Sequence, residues 1–490
     1  MQGQISSFNS GRAPIAILGV PFDNVTTAET LECIGQMIDS GKPHYLATAN
    51  VDFIVQASED VELRRILFDA HLVLADGMPI VWASKLLGNP LPERVTGSDM
   101  IPQLLAMAEQ KGWKVFFLGG TGQSVAAAAE KTLTKHPRLQ LVGAYSPPFK
   151  PLLEMDHADI LRRLQAAKPD VLLVAFGCPK QEKWINMNYR AAGVPICVGV
   201  GATIDFLAGT VVRAPVWMRK TGLEWIFRLM QEPRRLLKRY SKGIWIFGRL
   251  ILKQFWQLRS APRPAENSAA PTVTTDLPGS LIIKGPAHLD AAEVELTRAA
   301  WVEAVEKGNV IFDLADTGLV DSTGMGVLIK LRKQARELSH AFVLVAPTPQ
   351  VMSALRLMKL ETFFTIEPSV SAARLQLRES PGKTITMTTP PASPTTAVEL
   401  RWVGEVTAGN VAELGATTEA RLHNPPTGTS IVIDLSRVTF VDSMGIGLMV
   451  RLKKNLWRRD IPLVFRNPNE AVSNVLRYTK LEDYLLETSK

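Results

Sequence analysis

At 490 residues the chain exceeds what one compact core holds, so several domains are expected. Hydrophobic content of 46% beside 21% charged residues excludes a disordered or fibrous polypeptide, and three cysteines without CxxC spacing exclude a disulfide framework or zinc cluster. The net charge of +8 is concentrated in residues 213–259, where twelve Lys or Arg face two acidic residues, Glu224 and Glu232. The remainder is near neutral and offers no module for reading nucleic acid, so no nucleic-acid partner is expected.

In chain order, the first twenty residues show no charged stretch followed by a long apolar core, so no signal peptide is expected. Apolar runs predict strands at 15–18, 44–47, 72–75, 114–118, 140–145, 171–175 and 196–200, with amphipathic helices such as 101–111 and 158–167 between them. This alternation predicts an α/β, Rossmann-like doubly wound domain over residues 1–212, whose ligands sit at the carboxyl ends of its strands. Residues 213–259 read as a helical, basic and aromatic tail. Its most apolar part, residues 243–258, contains Arg249 and Lys253, is too short to span a bilayer, and reads as an interfacial helix. Trp217, Trp225, Trp245, Phe247, Phe255 and Trp256 interleave with its basic residues, a combination suited to anionic headgroups.

Stretches rich in Pro, Ser, Thr and Ala at 260–279 and 380–397 read as linkers, bounding two small domains at 280–379 and 398–490. These two are copies. Residues 310–361 and 431–482 align without a gap at an offset of 121, with 17 of 52 positions identical. Shared positions include Asp321-Ser322 with Asp442-Ser443, each opening an amphipathic helix. Two copies are too few for a solenoid, so they are tandem duplicated domains.

In the first domain the predicted strands end on polar or glycine-rich turns: Thr48-Ala-Asn50-Val-Asp52, Asp76-Gly77, Gly119-Gly120-Thr121-Gly122, Phe176-Gly177-Cys178-Pro179-Lys180-Gln181-Glu182, and Gly199-Val-Gly201. Arg94 with Thr96-Gly97-Ser98-Asp99 adds another. Each has a plain structural reading: Asp76 as a helix cap, Thr48 and Asn50 as a hydrogen-bonded turn, Gly119–Gly122 as an ordinary tight turn. Their convergence on one sheet edge favours a phosphate-bearing ligand. Gly120-Thr-Gly122 also resembles the start of a dinucleotide fingerprint, but Val125 stands where its third glycine belongs. No Asp-x-Asp pair occurs in the first 260 residues, so the familiar carboxylate cradle for a divalent cation is missing.

The motifs TANVDF, ADGMP, RVTGSD, FLGG, FGCPKQE, GVGATIDFLAG, RAP and EWIFRLMQEPRR, in this order, resemble the WecG/TagA/CpsF family of bacterial glycosyltransferases over about 230 residues. The resemblance implies inverting, metal-independent transfer of an N-acetylmannosamine-type sugar from a UDP donor to a polyprenyl-diphosphate-linked acceptor, with no cofactor. It places Asp76 as the base, and Thr48, Asn50 and Gln181 as pocket residues. Arg94 would face the departing UDP, and Arg228, Arg234 or Arg235 would supply a second phosphate contact from the tail. Gly77, Gly119, Gly120, Gly177 and Gly201 complete the expected binding set. The expected location is cytoplasmic, peripheral to the inner face of the plasma membrane.

The duplicated domains resemble STAS domains, the fold of anti-sigma-factor antagonists. That resemblance marks Ser322 and Ser443 as candidates for phosphorylation, with a kinase or anti-sigma-like protein as partner. The plain alternative is that Asp and Ser cap the helix. A non-catalytic nucleotide-sugar-binding scaffold is the rival to an enzyme.

Overall fold

The computed structural model describes residues 12–221, 223–231, 233–260, 273–277, 280–379, 397–422, 430–459, 461–479 and 481–486. The chain opens on a short antiparallel hairpin, β1 (Ile15–Ile17) and β2 (Val20–Phe22), where the sequence suggests one strand. Gly19, at φ +85°, makes the turn.

Six strands then form one parallel sheet: β3 (His44–Ala49), β4 (Leu72–Ala75), β5 (Lys114–Gly119), β6 (Gln140–Tyr145), β7 (Val171–Ala175) and β8 (Ile196–Gly199). Their spatial order is β4-β3-β8-β7-β5-β6. Strands β3, β4, β7 and β8 are buried at every position, as expected of a parallel sheet covered on both faces. The helices divide between two apolar layers. Ile54, Ile80 and Trp184 belong to one, and Ile101, Val125 and Ile204 to the other. The expected doubly wound α/β arrangement is present.

A helix at Pro233–Ser260 closes this part of the chain and has two distinct faces. Gly243, Phe247, Ile251 and Gln254 are buried, whereas Trp245, Arg249, Leu252, Trp256 and Arg259 form an exposed line at helical spacing. Gln254 secures the buried face to the hairpin, accepting from Leu18 N–H at 3.0 Å and donating to Ala16 O at 3.2 Å.

The first duplicated module has a five-stranded sheet ordered β15 (Thr365–Glu367), β14 (Phe342–Val345), β12 (Asn309–Asp313), β10 (Ser280–Lys284) and β9 (Val273–Leu277). Beside it lies a small pair, β11 (His288–Leu289) and β13 (Leu319–Val320). Strand β9 falls within the stretch that composition marks as a linker. The second module is built on β16 (Ala397–Val406), β17 (Ser430–Val441) and β18 (Leu463–Arg466). The duplication survives in three dimensions. Helices Ser322–Glu337 and Ser443–Trp457, β14 and β18, and helices Pro349–Leu357 and Glu470–Tyr478 correspond at the offset read from the sequence.

Both modules pack on one helix of the first domain, Val61–Asp69. Arg65 gives two hydrogen bonds to the Glu405 carboxylate, at 2.8 and 2.7 Å, and lies over the rings of Phe363 and Phe440. Asp69 pairs with Arg336, and Phe68 meets Phe363 edge-on at 4.4 Å. Burial alone would raise the Glu405 carboxyl, but Arg65 and Arg332 hold it down to about 2.

The fit of module one against the hairpin leaves no space at Gly326, where a Cβ would stand 2.4 Å from the Pro14 carbonyl oxygen. Its counterpart Gly447 meets only Leu153, at 4.0 Å. Gly326→Ala should therefore destabilise the chain by about 1–3 kcal/mol in denaturant unfolding, because a backbone carbonyl cannot yield. Gly447→Ala should be neutral, or stabilise by up to roughly 1 kcal/mol through helix propensity.

Candidate functional site

The sheet order creates the site. From β8 the chain turns into helix Thr203–Ala208 on one face, while β3 and β7 on either side continue into helices Val51–Glu59 and Lys180–Ala192 on the other. Connections that diverge from adjacent strands leave a crevice at their carboxyl ends. Thr48, Asn50, Gly177, Gln181, Gly199 and Gly201 surround this one, and Asp76 follows β4 beside it.

The local bonding is specific. Thr48 is buried and donates to Gly199 O at 3.2 Å. Asn50 caps helix Val51–Glu59, its side-chain oxygen accepting from Asp52 and Phe53 N–H at 3.0 and 3.2 Å. Asp76 is half-buried, and its N–H donates to Ala49 O at 2.9 Å. Gly77, at φ +151°, carries the chain from Asp76 into helix Met78–Leu86.

Gln181 ties two strand ends together, its side-chain oxygen accepting from Gly177 and Gly201 N–H, both at 3.1 Å. A Cβ at Gly199 would stand 2.8 Å from the Gln181 amide nitrogen and 3.0 Å from Glu182 Oε1, so only glycine lets both side chains lie there. The Gly119–Gly120 turn ends β5. Four inter-strand steps separate it from Asp76, or roughly 19 Å. It therefore borders the crevice on the far side from that carboxylate. The side chains of Arg228, Arg234 and Arg235 lie outside the described residues. Ser322 and Ser443 sit elsewhere, buried against the outer surface of this domain.

Positive charge gathers at the start of helix Gly97–Lys111, whose N-terminus reaches the crevice: a Cβ at Gly97 would be 3.2 Å from Thr203 Oγ1 and 3.9 Å from Thr48. Arg94 bonds Glu224 at 2.9 Å and Asp99 at 3.1 Å, while Arg213 and Arg219 reach Asp99 at 2.9 and 3.2 Å. Burial would raise the Asp99 carboxyl, but Arg213, Thr96 and Arg94 hold it below its ordinary value. Three guanidinium groups thus surround two carboxylates, and buried nitrogens of Arg213 and Arg219 lack a hydrogen-bond partner among the described residues. Such a cluster can exchange a carboxylate for a phosphate. Among the described residues no group of three His, Cys, Asp or Glu is placed to hold a metal ion.

Sequence reasoning placed Glu182 at a strand end but assigned no role to it or to the Arg213–Arg219 pair. Glu182 stood within FGCPKQE, and its signal was an acidic residue in the first turn of a helix following a buried strand. It is almost fully buried, accepts from Gln181 at 2.7 Å, and has one oxygen without a partner among the described residues. Burial pushes its carboxyl up to about 7, with the Gln181 bond opposing.

The folded state thus holds a proton on Glu182 between pH 4.5 and 7 that the unfolded chain has released, so this group's stabilisation is full below 4.5 and lost as pH rises to 7. Glu182→Gln should flatten that fall, most visibly between pH 5 and 7 in denaturant midpoints of the two proteins. Parallel curves would mean that Glu182 is ionised throughout.

The sequence matches the profile of the glycosyl transferase WecG/TagA/CpsF family over residues 15–261. Residues 271–373 match a STAS domain profile, and 382–487 match one described as Mlab, STAS domain. An N-acetylglucosaminyldiphosphoundecaprenol N-acetyl-beta-D-mannosaminyltransferase of Staphylococcus aureus is 29% identical over 254 residues, covering 51% of this chain and 97% of that protein. A protein of the same description from Bacillus spizizenii is 32% identical over 198 residues, 40% of this chain and 75% of the relative. Among solved structures, the anti-sigma factor antagonist SpoIIAA in its unphosphorylated form covers 23% of this chain and 99% of its own at 19% identity, with a TM-score of 0.21.

Proposed function

The chain belongs to the WecG/TagA/CpsF glycosyl transferase family, and from that premise we propose that it moves an N-acetylmannosamine-type sugar from a UDP donor to a polyprenyl-diphosphate-linked acceptor sugar. The observation that carries this reading is the position of Asp76 at the crevice edge, beside the β3 and β8 ends and the basic cluster around Asp99.

In the proposed step Asp76 takes the proton of an acceptor hydroxyl as that oxygen attacks the anomeric carbon. The bond from that carbon to the diphosphate oxygen breaks on the opposite face, inverting the centre, and UDP leaves with the electron pair. Negative charge then builds on the diphosphate. Arg94, with Arg213 and Arg219, is assigned to meet it, the phosphate oxygens replacing Asp99 and Glu224 as partners. Thr48, Asn50 and Gln181 are assigned to shape the pocket around the sugar. Gly77, Gly119, Gly120, Gly177 and Gly201 are assigned to let backbone approach the ligand. Neither a metal ion nor a cofactor is assigned a role.

We further assign the exposed line Trp245–Arg249–Leu252–Trp256 to the inner surface of the plasma membrane, where a lipid-linked acceptor is presented. No helix among the described residues is long and apolar enough to cross a membrane. The two STAS modules are assigned to regulation or docking.

UDP release from UDP-N-acetylmannosamine with a polyprenyl-diphosphate-GlcNAc analogue should persist in EDTA and fall by at least about 100-fold in Asp76→Ala, within the range attributed to a lost general base. EDTA-sensitive turnover would overturn metal independence, and full activity in Asp76→Ala would overturn the base. Binding to vesicles containing anionic lipid should weaken by roughly tenfold or more in Trp245→Ala/Trp256→Ala, the scale of withdrawing apolar side chains from a bilayer. Co-sedimentation measures it.

A further inference from the structure

The Asp–Ser turns of both modules meet the transferase domain directly. Asn89, in the loop leaving helix Met78–Leu86, donates to Ser322 Oγ and Asp321 Oδ2, both at 2.9 Å. In module two, Ser443 gives its N–H and its hydroxyl to the two oxygens of Glu62, at 2.7 and 2.6 Å. Ser443 is 6% exposed and Glu62 is 4% exposed, so water is excluded from this contact.

Helix capping does not account for these hydroxyls. Asp321 caps its helix by accepting from Thr323 and Gly324 N–H, and Asp442 caps its own by accepting from Gly445 N–H. Each serine hydroxyl is spent on the transferase instead, as an acceptor in module one and a donor in module two.

The difference matters for charge. An amide N–H, as at Asn89, can face an anion, whereas the Glu62 carboxylate can only accept and repels one. Asp442 adds a second carboxyl to this contact, pushed up to about 7 by burial and by Glu62. Module one is also fixed by the Gly326 fit, while a Cβ at Gly447 would meet only the Leu153 side chain, at 4.0 Å.

Glu62 has a further partner. Lys183 pairs with Glu62 at 2.9 Å and with Asp60 at 2.7 Å, and it lies two residues beyond Gln181 in the first turn of helix Lys180–Ala192. Ser443 is therefore one carboxylate away from the helix that carries Gln181 and Glu182 to the crevice.

We propose that the transferase domain of this chain is itself the partner of the module-two Asp–Ser site: the neutral Ser443 hydroxyl docks module two on Glu62, and negative charge at position 443 releases it, freeing the Glu62–Lys183 contact to rearrange. This docking is independent of which sugar the enzyme transfers, and its test needs no turnover.

The test is amide hydrogen exchange on the full chain for wild type, Ser443→Ala, Ser443→Asp and Ser443→Asp/Glu62→Gln. In Ser443→Asp, exchange across residues 61–69 and 180–186 should rise by on the order of tenfold or more, the scale of losing a charge-assisted hydrogen bond, while β17 stays protected. Ser443→Ala should rise less. Adding Glu62→Gln should return Ser443→Asp toward wild type, since an amide can donate where the carboxylate could not. Unchanged exchange in Ser443→Asp, or no recovery in the double variant, would overturn the proposal. Should β17 itself lose protection in Ser443→Asp, Glu62→Ala decides, because it leaves module two intact. Faster exchange at residues 442–446 in that variant supports docking on Glu62, and unchanged exchange there rules it out.

Discussion

Nine residues, Val61–Asp69, hold three folded units in register, and they do so with charges largely withdrawn from water. Arg65 and Arg332 converge on Glu405, and Arg336 converges on Asp69. Burial, with Arg65 and Arg336 nearby, pushes the Arg332 guanidinium down to about 9, and burial pushes the Lys333 ammonium to about 8. A desolvated cluster of this kind adds little over apolar packing when intact, because lost hydration offsets the attraction. Removing one partner is another matter, since it strands a buried charge at a cost of about 3–5 kcal/mol. The cluster therefore penalises every arrangement that leaves Arg65 without Glu405 or Asp69 without Arg336. Phe68 against Phe363, and the hairpin against helix Ser322–Glu337, supply the apolar burial.

Much of this fold was legible in the sequence. Strands β4 and β7 fall where their apolar runs begin and end, because a fully buried parallel strand writes itself as an uninterrupted apolar segment. The duplication was legible for a different reason: gapless identity needs no structural inference. The hairpin was not, since Val20-Pro21-Phe22 is too short to show a period and carries a proline. Strand β9 hid in a Pro- and Thr-rich stretch because its partner β10 is seen only once the sheet is assembled. At the crevice, Asp76, Thr48 and Asn50 could be proposed from strand-end position and family resemblance. The basic cluster could not, because Arg94, Asp99, Arg213, Arg219 and Glu224 come from segments up to 130 residues apart. Glu182 was hidden for a simpler reason. A carboxylate reads as a surface residue until burial is known. The contacts of Ser443 and Ser322 with Glu62 and Asn89 span 381 and 233 residues, and no local pattern reports them.

Helix Pro233–Ser260 faces two ways. Its inner face is fastened to the hairpin through Gln254 and to module one through Gln257, which donates to Ser353 at 2.9 Å. Its outer face is the line of Trp245, Leu252 and Trp256. A single rigid element with one surface in each of two equilibria joins them thermodynamically, and the joining is reciprocal. If seating module one changes how the outer face is presented, then whatever grips that face must shift the seating of module one by the same free energy. Surface attachment and domain arrangement are then not separate properties of this chain. The link between them runs through the glutamine hydrogen bonds and the buried Phe247 and Ile251 of this helix, and it could be read in either direction.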